Sequence, residues 1–372
     1  MDDKWVHQQH ATEAALGQRV EPLLRVEHQC HQALPHGGNL EAAELRFGKP
    51  DQGWLDLSTG ISPWSFPFSE VPESHWQRLP HTEKTLESAA ANYYQTDNPL
   101  AIPGSQFAIQ RLPGLFRRCR VALPRWGYNE HFAAWEAAGH QPLRYDDSDP
   151  DRLEQQINQG EVDVVLVINP NNPSGQLIPQ QRLRRWHQTL AAQGGYLIVD
   201  EAFMDASPEQ SLTPLGPQKG LIVLRSVGKF FGLAGIRLGF LMATEEIRAA
   251  IAKERGPWAI PGPSAWVGCQ ALAATSWQAQ QRQRLHGEAN KLNQLLRRHL
   301  HTHASRLVQT AYFTTLFLPP APAQAIYQTL GQQGLLIRFF EPQQGLCGLR
   351  FGLPATANQW RRLTESLERL NR

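Results

Sequence analysis

The stretch SVGKFFGLAGIRLG, Ser226–Gly239, closes the apolar run LIVLR, sets Lys229 between Gly228 and Phe230, and places Arg237 eight positions later. A lysine in such company sheds part of its hydration, and desolvation disfavours the charged ammonium. The run before it is rich in Leu, Ile and Val, as are RVALP, DVVLVINP and YLIVDEAF, and from about Thr82 to Leu241 these runs alternate with segments of helix length. That pattern describes an α/β chain, a mostly parallel sheet between helices. The residues just past each run therefore stand at the carboxyl ends of strands, where ligands of open α/β sheets gather.

Working outward, the character changes after GPWAIPGPSAW: a long polar helix near Ser276–His301 leads into AYFTTLFLP, LLIRFF and GLRFGLP, strands of a smaller α+β domain. Towards the N-terminus, PHGGNL and WLDLSTGISPW carry glycines, prolines and a strand signal, whereas residues 1–34 are polar and helix-compatible, with a weak apolar face of Leu16, Val20, Leu23 and Leu24. The expected organisation is an arm over 1–34, a segment over 35–80 contributing to the site and the small domain, a large domain over 81–262 and a small domain over 263–372.

Composition removes several function classes. The 372 residues are 41% hydrophobic and 19% charged, and 36 basic against 34 acidic residues leave a net charge of +2 with no basic field for nucleic acid or an acidic membrane. No apolar run approaches the ~20 residues of a membrane helix, and MDDKWVHQQH lacks the apolar core of a secretory signal, so a cytoplasmic location is expected. Cys30, Cys119, Cys269 and Cys347 show no ligand spacing, which argues for reduced, mostly buried thiols and against a disulfide framework or a metal centre. The 11 tryptophans are dispersed and read as packing residues.

Four strand ends supply chemistry: Asp200 in YLIVDEAF, Asn172 in NPNNPSG, Lys229, and the Gly-Ser turn of LAIPGSQFAIQRL. Each alone has an ordinary reading as a cap, a turn, a snorkelling side chain or a loop-to-helix junction. Together they match what pyridoxal 5'-phosphate requires: a lysine for covalent attachment, a carboxylate facing the pyridine nitrogen and an anion site for the phosphate. In that reading Lys229 is the anchor and Asp200 keeps the ring nitrogen protonated. The backbone amides of Ser105 and Gln106, the Ser226 hydroxyl and the Arg237 guanidinium bind the phosphate. Asn172 reaches the ring's 3-oxygen, and Tyr128 in PRWGYNEH either stacks on the ring or serves packing alone.

With NPNNPSG, VDEAF, SVGKFFGLAGIRLGF and LRFGLP in this order, the chain from about Pro35 onward resembles the fold-type I pyridoxal phosphate enzymes, the aspartate aminotransferase-like superfamily. Within it the chain is similar to the histidinol-phosphate aminotransferases and to the L-threonine O-3-phosphate decarboxylases of cobalamin biosynthesis. HGGNLEAAELRFG, His36–Gly48, the form of the lysine motif and Phe203 where aminotransferases usually carry Tyr favour the decarboxylases. Gly228 and Gly60 depart from the pattern: many relatives have Ser or Thr at the first, and some decarboxylases have Asn at the second.

The resemblance implies decarboxylation of L-threonine O-3-phosphate to (R)-1-amino-2-propanol O-2-phosphate, with a histidinol-phosphate aminotransferase or related transaminase as the alternative. It implies Phe203 beside the cofactor, and His36, Gly37, Asn172, Arg338 and Arg350 around the substrate's acidic groups. A homodimer, with Lys229 or a bound water as the acid that protonates Cα, completes the expectation. A third possibility, the aminotransferase-like domain of a transcription regulator, is disfavoured because an arm of about 34 residues is short for a DNA-binding module.

Overall fold

The computed structural model describes residues 36–370 apart from 82 and 302; the arm over 1–34, with its apolar face and Cys30, lies outside the described residues. Seven strands form the large sheet: β1 Leu100–Ile102, β2 Arg120–Pro124, β3 Gln141–Tyr145, β4 Val164–Ile168, β5 Tyr196–Asp200, β6 Leu221–Ser226 and β7 Gly239–Met242. Their order is β1-β7-β6-β5-β4-β2-β3, with β7 antiparallel to both neighbours and the other pairings parallel. Alternate side chains enter two cores. Val165, Val167, Leu197, Val199 and Val223 pack on one face, and Val164, Leu166, Ile168, Ile198, Ile222 and Leu224 on the other. Burial on both faces is why these strands read as unbroken apolar runs. The edge strand β3, QPLRY, has largely exposed positions and lacks that signal.

The second sheet is antiparallel: β8 Arg306–Gln309, β9 Phe313–Leu318, β10 Arg338–Gln343 and β11 Leu346–Gly352, in the order β10-β11-β9-β8. The helices that matter for the site are α1 Ser105–Arg111, α2 Asn129–Ala137 and α3 Thr275–Leu300. Along α3, Leu285, Ala289, Leu292, Leu296 and Leu300 recur every three or four residues and are buried. WLDLSTGISPW yields only a two-residue strand, Leu55–Asp56, paired with Leu335–Leu336. The Asp56 carboxylate accepts from the Ser58 amide and hydroxyl at 2.8 and 2.6 Å, and this local bond turns the chain out of extension. Of the described cysteines, all free, Cys347 is buried and Cys119 and Cys269 are only half-buried, fewer buried thiols than expected.

Two buried arrangements hold the strand ends. Gln281 of α3 donates through Nε2 to Ser62 Oγ at 2.6 Å and to the carbonyls of Trp64 and Phe230 at 3.2 Å, while the Ser62 amide donates to the Lys229 carbonyl at 3.0 Å. On the far side of β6, Arg225 donates to Glu201 at 2.8 Å and to Asp205, and all three side chains are withdrawn from solvent. Ser211 and the Leu212 amide also donate to Glu201, and the Tyr93 hydroxyl donates to Asp205. Removing the one cation would strand two buried carboxylates. Arg225→Ala is expected to cost about 3–5 kcal/mol, read as a lower midpoint in urea unfolding; a loss of the size typical of surface substitutions would contradict this account.

Candidate active site

The sheet registers align the strand ends: Ile168 lies beside Asp200, Asp200 beside Leu224, Ser226 beside Gly239, and Gly239 beside Ile102. One pocket at this edge is lined by all the residues expected at the cofactor: Ser105, Gln106, Tyr128, Asn172, Asp200, Phe203, Ser226, Lys229 and Arg237. His36, Gly37, Arg338 and Arg350 are not among its lining residues: Arg350 reaches it through Asn172, His36 through Glu130 and Gln106, Gly37 abuts Ser58, and Arg338 is the register partner of Arg350.

At one end, α1 begins directly after Gly104, and no side chain caps it. Gly104 has φ +75°, and a Cβ there would lie 2.8 Å from Arg237 Nη2, so the guanidinium rests against bare backbone. Arg237 itself holds a left-handed conformation, φ 48° and ψ 50°, which is uncommon for a residue with a side chain and concentrates at functional sites. Backbone amides, a guanidinium and the Ser226 hydroxyl together make an anion cradle.

At the other end, Asp200 Oδ1 accepts from the Ala202 amide at 3.0 Å and Oδ2 lies 2.9 Å from His131 Nε2, with both side chains buried. His131 was not anticipated. It sits one turn into α2, three residues after Tyr128, and the linear pattern offers only polar residues opening a helix. The Tyr128 hydroxyl donates to Gln106 Oε1 at 3.0 Å, and its ring lies 5.9 Å from that of His36 and 6.2 Å from that of His131.

Lys229 is half-buried, with Nζ 5.7 Å from the centre of the Phe203 ring. Burial, then the positive charge of Arg350 and that of Arg237, push its amine down to about 8 against the opposing pull of Asp200. Arg350 is buried and donates to Asn172 Oδ1 and to the Ser58 carbonyl. It pairs in register with Arg338 of β10, and burial together with that neighbouring cation lowers its guanidinium to about 9. Ser58, also unanticipated, holds the glycine segment as well: the Gly38 amide donates to its hydroxyl at 2.7 Å, and a Cβ on Gly37 would lie 2.5 Å from its carbonyl oxygen. His36 Nε2 lies 2.8 Å from Glu130.

The two departures have steric reasons. A Cβ at Gly228 would meet Ala234 Cα at 3.1 Å, leaving little room for a hydroxyl-bearing side chain, and one at Gly60 would meet the Phe203 ring at 3.0 Å and Phe313 at 3.3 Å. Among the described residues no group of three or more His, Cys, Asp and Glu is arranged to hold a metal ion.

The family profile described as Aminotransferase class I and II matches residues 74–363. The chain is 42% identical to a threonine-phosphate decarboxylase of Pseudomonas aeruginosa over 341 residues, covering 90% of this chain and 97% of that protein. It is 44% identical over 237 residues to a threonine-phosphate decarboxylase of Sinorhizobium sp, covering 62% and 69% of the two chains. The crystal structure of histidinol-phosphate aminotransferase from Sinorhizobium meliloti in complex with pyridoxal-5'-phosphate superposes with a TM-score of 0.78 at 20% identity, over 94% of this chain and 99% of the other, and shares the fold.

The residues present fit pyridoxal phosphate: an amine that deprotonates more readily than usual, a buried carboxylate backed by a histidine, and an anion cradle that a side chain at position 104 would fill. With its amine at about 8, Lys229 is neutral in roughly one molecule in ten at pH 7, against fewer than ~1 in 1,000 for an ordinary lysine. Capture of pyridoxal phosphate by cofactor-free protein, followed by the absorbance of the lysine-bound form, should therefore accelerate through a midpoint near pH 8. Arg350→Met, which removes a charge that drives the proton off, should move that midpoint up, and a midpoint that stays in place would exclude Arg350 as a cause.

Proposed function

This chain belongs to the class I and II aminotransferases, and we propose that within that family it decarboxylates L-threonine O-3-phosphate to (R)-1-amino-2-propanol O-2-phosphate for cobalamin biosynthesis. The cofactor is pyridoxal 5'-phosphate. The observation that carries the reading is the Arg350–Arg338 pair: two arginines in register across adjacent strands, with Arg350 bonded to Asn172 of the pocket and its guanidinium lowered by burial and by Arg338. The substrate brings a carboxylate and a phosphate of about −1.5 to −2 charge, which such a pair suits. The 42% identity over nearly the whole length of a decarboxylase supports the same substrate.

Bound in the pocket, pyridoxal phosphate supplies an electron sink for the pair left on Cα when CO2 departs. The chain's own residues do the rest. Arg237, Ser226 and the amides of Ser105 and Gln106 hold the cofactor phosphate, and Asn172, fixed through Oδ1 by Arg350, keeps its Nδ2 as a donor towards the ring oxygen. Asp200, backed by His131, keeps a proton on the ring nitrogen, and Phe203 offers an apolar face where a tyrosine would add a hydroxyl. Lys229 is the covalent anchor and, once displaced, the acid that returns a proton to Cα. Arg350, mounted on Asn172 and Ser58, with Arg338, His36 and Gly37, orients the acidic groups of the substrate, and a bidentate arginine contact fixes direction as well as affinity.

The protein acts as a homodimer in the cytoplasm. Phe68, Trp76, Leu79 and Trp258 are 50, 68, 57 and 51% exposed, and the turn bearing Trp76 packs on the helix Gly262–Ala273 close after Trp258, an apolar surface of the kind a second copy covers. The free cysteines agree with a reducing compartment. Trp76→Glu should shift the mass measured by light scattering from dimer to monomer.

Incubation of cofactor-loaded protein with L-threonine O-3-phosphate and no keto acid is expected to give CO2 and aminopropanol phosphate over many turnovers. Lys229→Ala should abolish both turnover and the lysine-bound absorbance, and Arg350→Ala should lower kcat/KM on the order of 100-fold. Absence of CO2, with histidinol phosphate converted in the presence of 2-oxoglutarate, would reassign the protein as a transaminase.

A further inference from the structure

Glu130, the second residue of α2, belongs to none of the groups used above, yet it joins both ends of the site. Its Oε1 lies 2.8 Å from His36 Nε2, and its Oε2 accepts from Gln106 Nε2 at 3.0 Å, while Gln106 Oε1 accepts from the Tyr128 hydroxyl at 3.0 Å. An ionised carboxylate has no proton to give. Both of its partners must therefore donate, which fixes three otherwise free choices: His36 carries a proton on Nε2, the Gln106 amide turns its nitrogen to Glu130, and Tyr128 is the donor to Gln106. The His36 and Glu130 side chains are 48% and 20% exposed, and ion pairs that open to water add little to folding. Their consequence is local orientation.

We propose that Glu130 is a positioning residue that selects for a phosphorylated substrate through His36. The inference rests on the reading of His36 as a substrate contact given above. With Glu130 holding the Nε2 proton, any second proton on the imidazole resides on Nδ1, the nitrogen turned away from Glu130 and free to donate to a phosphate oxygen. His36 in turn covers a carboxylate that would otherwise repel the incoming phosphate. The same carboxylate holds Gln106, and through it Tyr128, so cofactor side and substrate side share one acceptor.

The test compares Glu130→Ala, His36→Ala and the double variant, each loaded with cofactor, on L-threonine O-3-phosphate and on L-threonine. Glu130→Ala should raise KM about tenfold more for the phosphorylated substrate than for the unphosphorylated one, since the freed Gln106 and Tyr128 act on both alike. His36→Ala should be worse than the double variant, because it leaves Glu130 bare at the mouth. Equal losses on both substrates, an unchanged KM, or losses that multiply in the double variant would overturn the proposal. Glu130→Gln covers the case in which the alanine variant does not fold: His36 and Gln106 reach different oxygens of the carboxylate, and the amide keeps an acceptor at only one of those two positions, so an intermediate KM is expected, and wild-type selectivity would count against the idea. Titration of the lysine-bound absorbance with L-threonine O-3-phosphate reads anion binding without turnover. Retained His36–Glu130 coupling in that titration, with no CO2 released, would count against the proposed reaction and not against the pair.

Discussion

Lys229 stands between Asp200, which holds its proton, and Arg350 and Arg237, which drive it off. Burial, joined by the two cations, outweighs Asp200, and the amine gives up its proton more readily than an ordinary lysine. Arg350 cannot swing away because Asn172 and the Ser58 carbonyl take its donors. Arg237 lies against Gly104, and the Lys229 carbonyl is tied through Ser62 to Gln281 of α3. The positive groups are thus held close to one another by a frame of bonds to neutral backbone and amide partners.

The frame is stiff because its supports are satisfied elsewhere. Gln281 bridges three segments far apart in sequence, and the Glu201–Asp205–Arg225 group anchors the underside of β5 and β6, both carboxylates bonded to the one guanidinium. The pocket holds Lys229 and Arg237 against Asp200, while beneath it one guanidinium serves two carboxylates. Such a division suits a site that takes a strongly anionic cofactor and a substrate with two acidic groups.

Much of this was legible in the sequence because strand-end chemistry is local. Asp200, Asn172, Ser226 and Lys229 each follow an apolar run, and a run buried on both faces announces itself. His131, Glu130 and Ser58 were not legible, since their roles depend on which way a helix or a turn carries a side chain after folding, and nothing in YNEHF or DLSTG separates a site residue from a solvated one. The departures at Gly60 and Gly228 were visible as departures, but their cause, the Phe203 ring and the Ala234 backbone, is tertiary. WLDLSTGISPW shows the opposite error: its apolar alternation was read as strand, and a single Asx bond from Asp56 turned most of it into a loop.

Consecutive residues at the end of β5 and in β6 serve opposite purposes. Asp200 enters the pocket and Glu201 the layer beneath, while Ser226 enters the pocket and Arg225 the layer beneath. Strand side chains alternate with a period of two, so a shift of one residue in either strand exchanges the members of each pair. Such a shift would put Glu201 or Arg225 where the cofactor binds and leave its former partners without their counter-charge. The neighbouring strands are thereby proofread by charge as well as by apolar fit. The segment between β5 and β6 carries Phe203 to the pocket and Asp205 and Ser211 to the layer beneath it, so one register sets both faces.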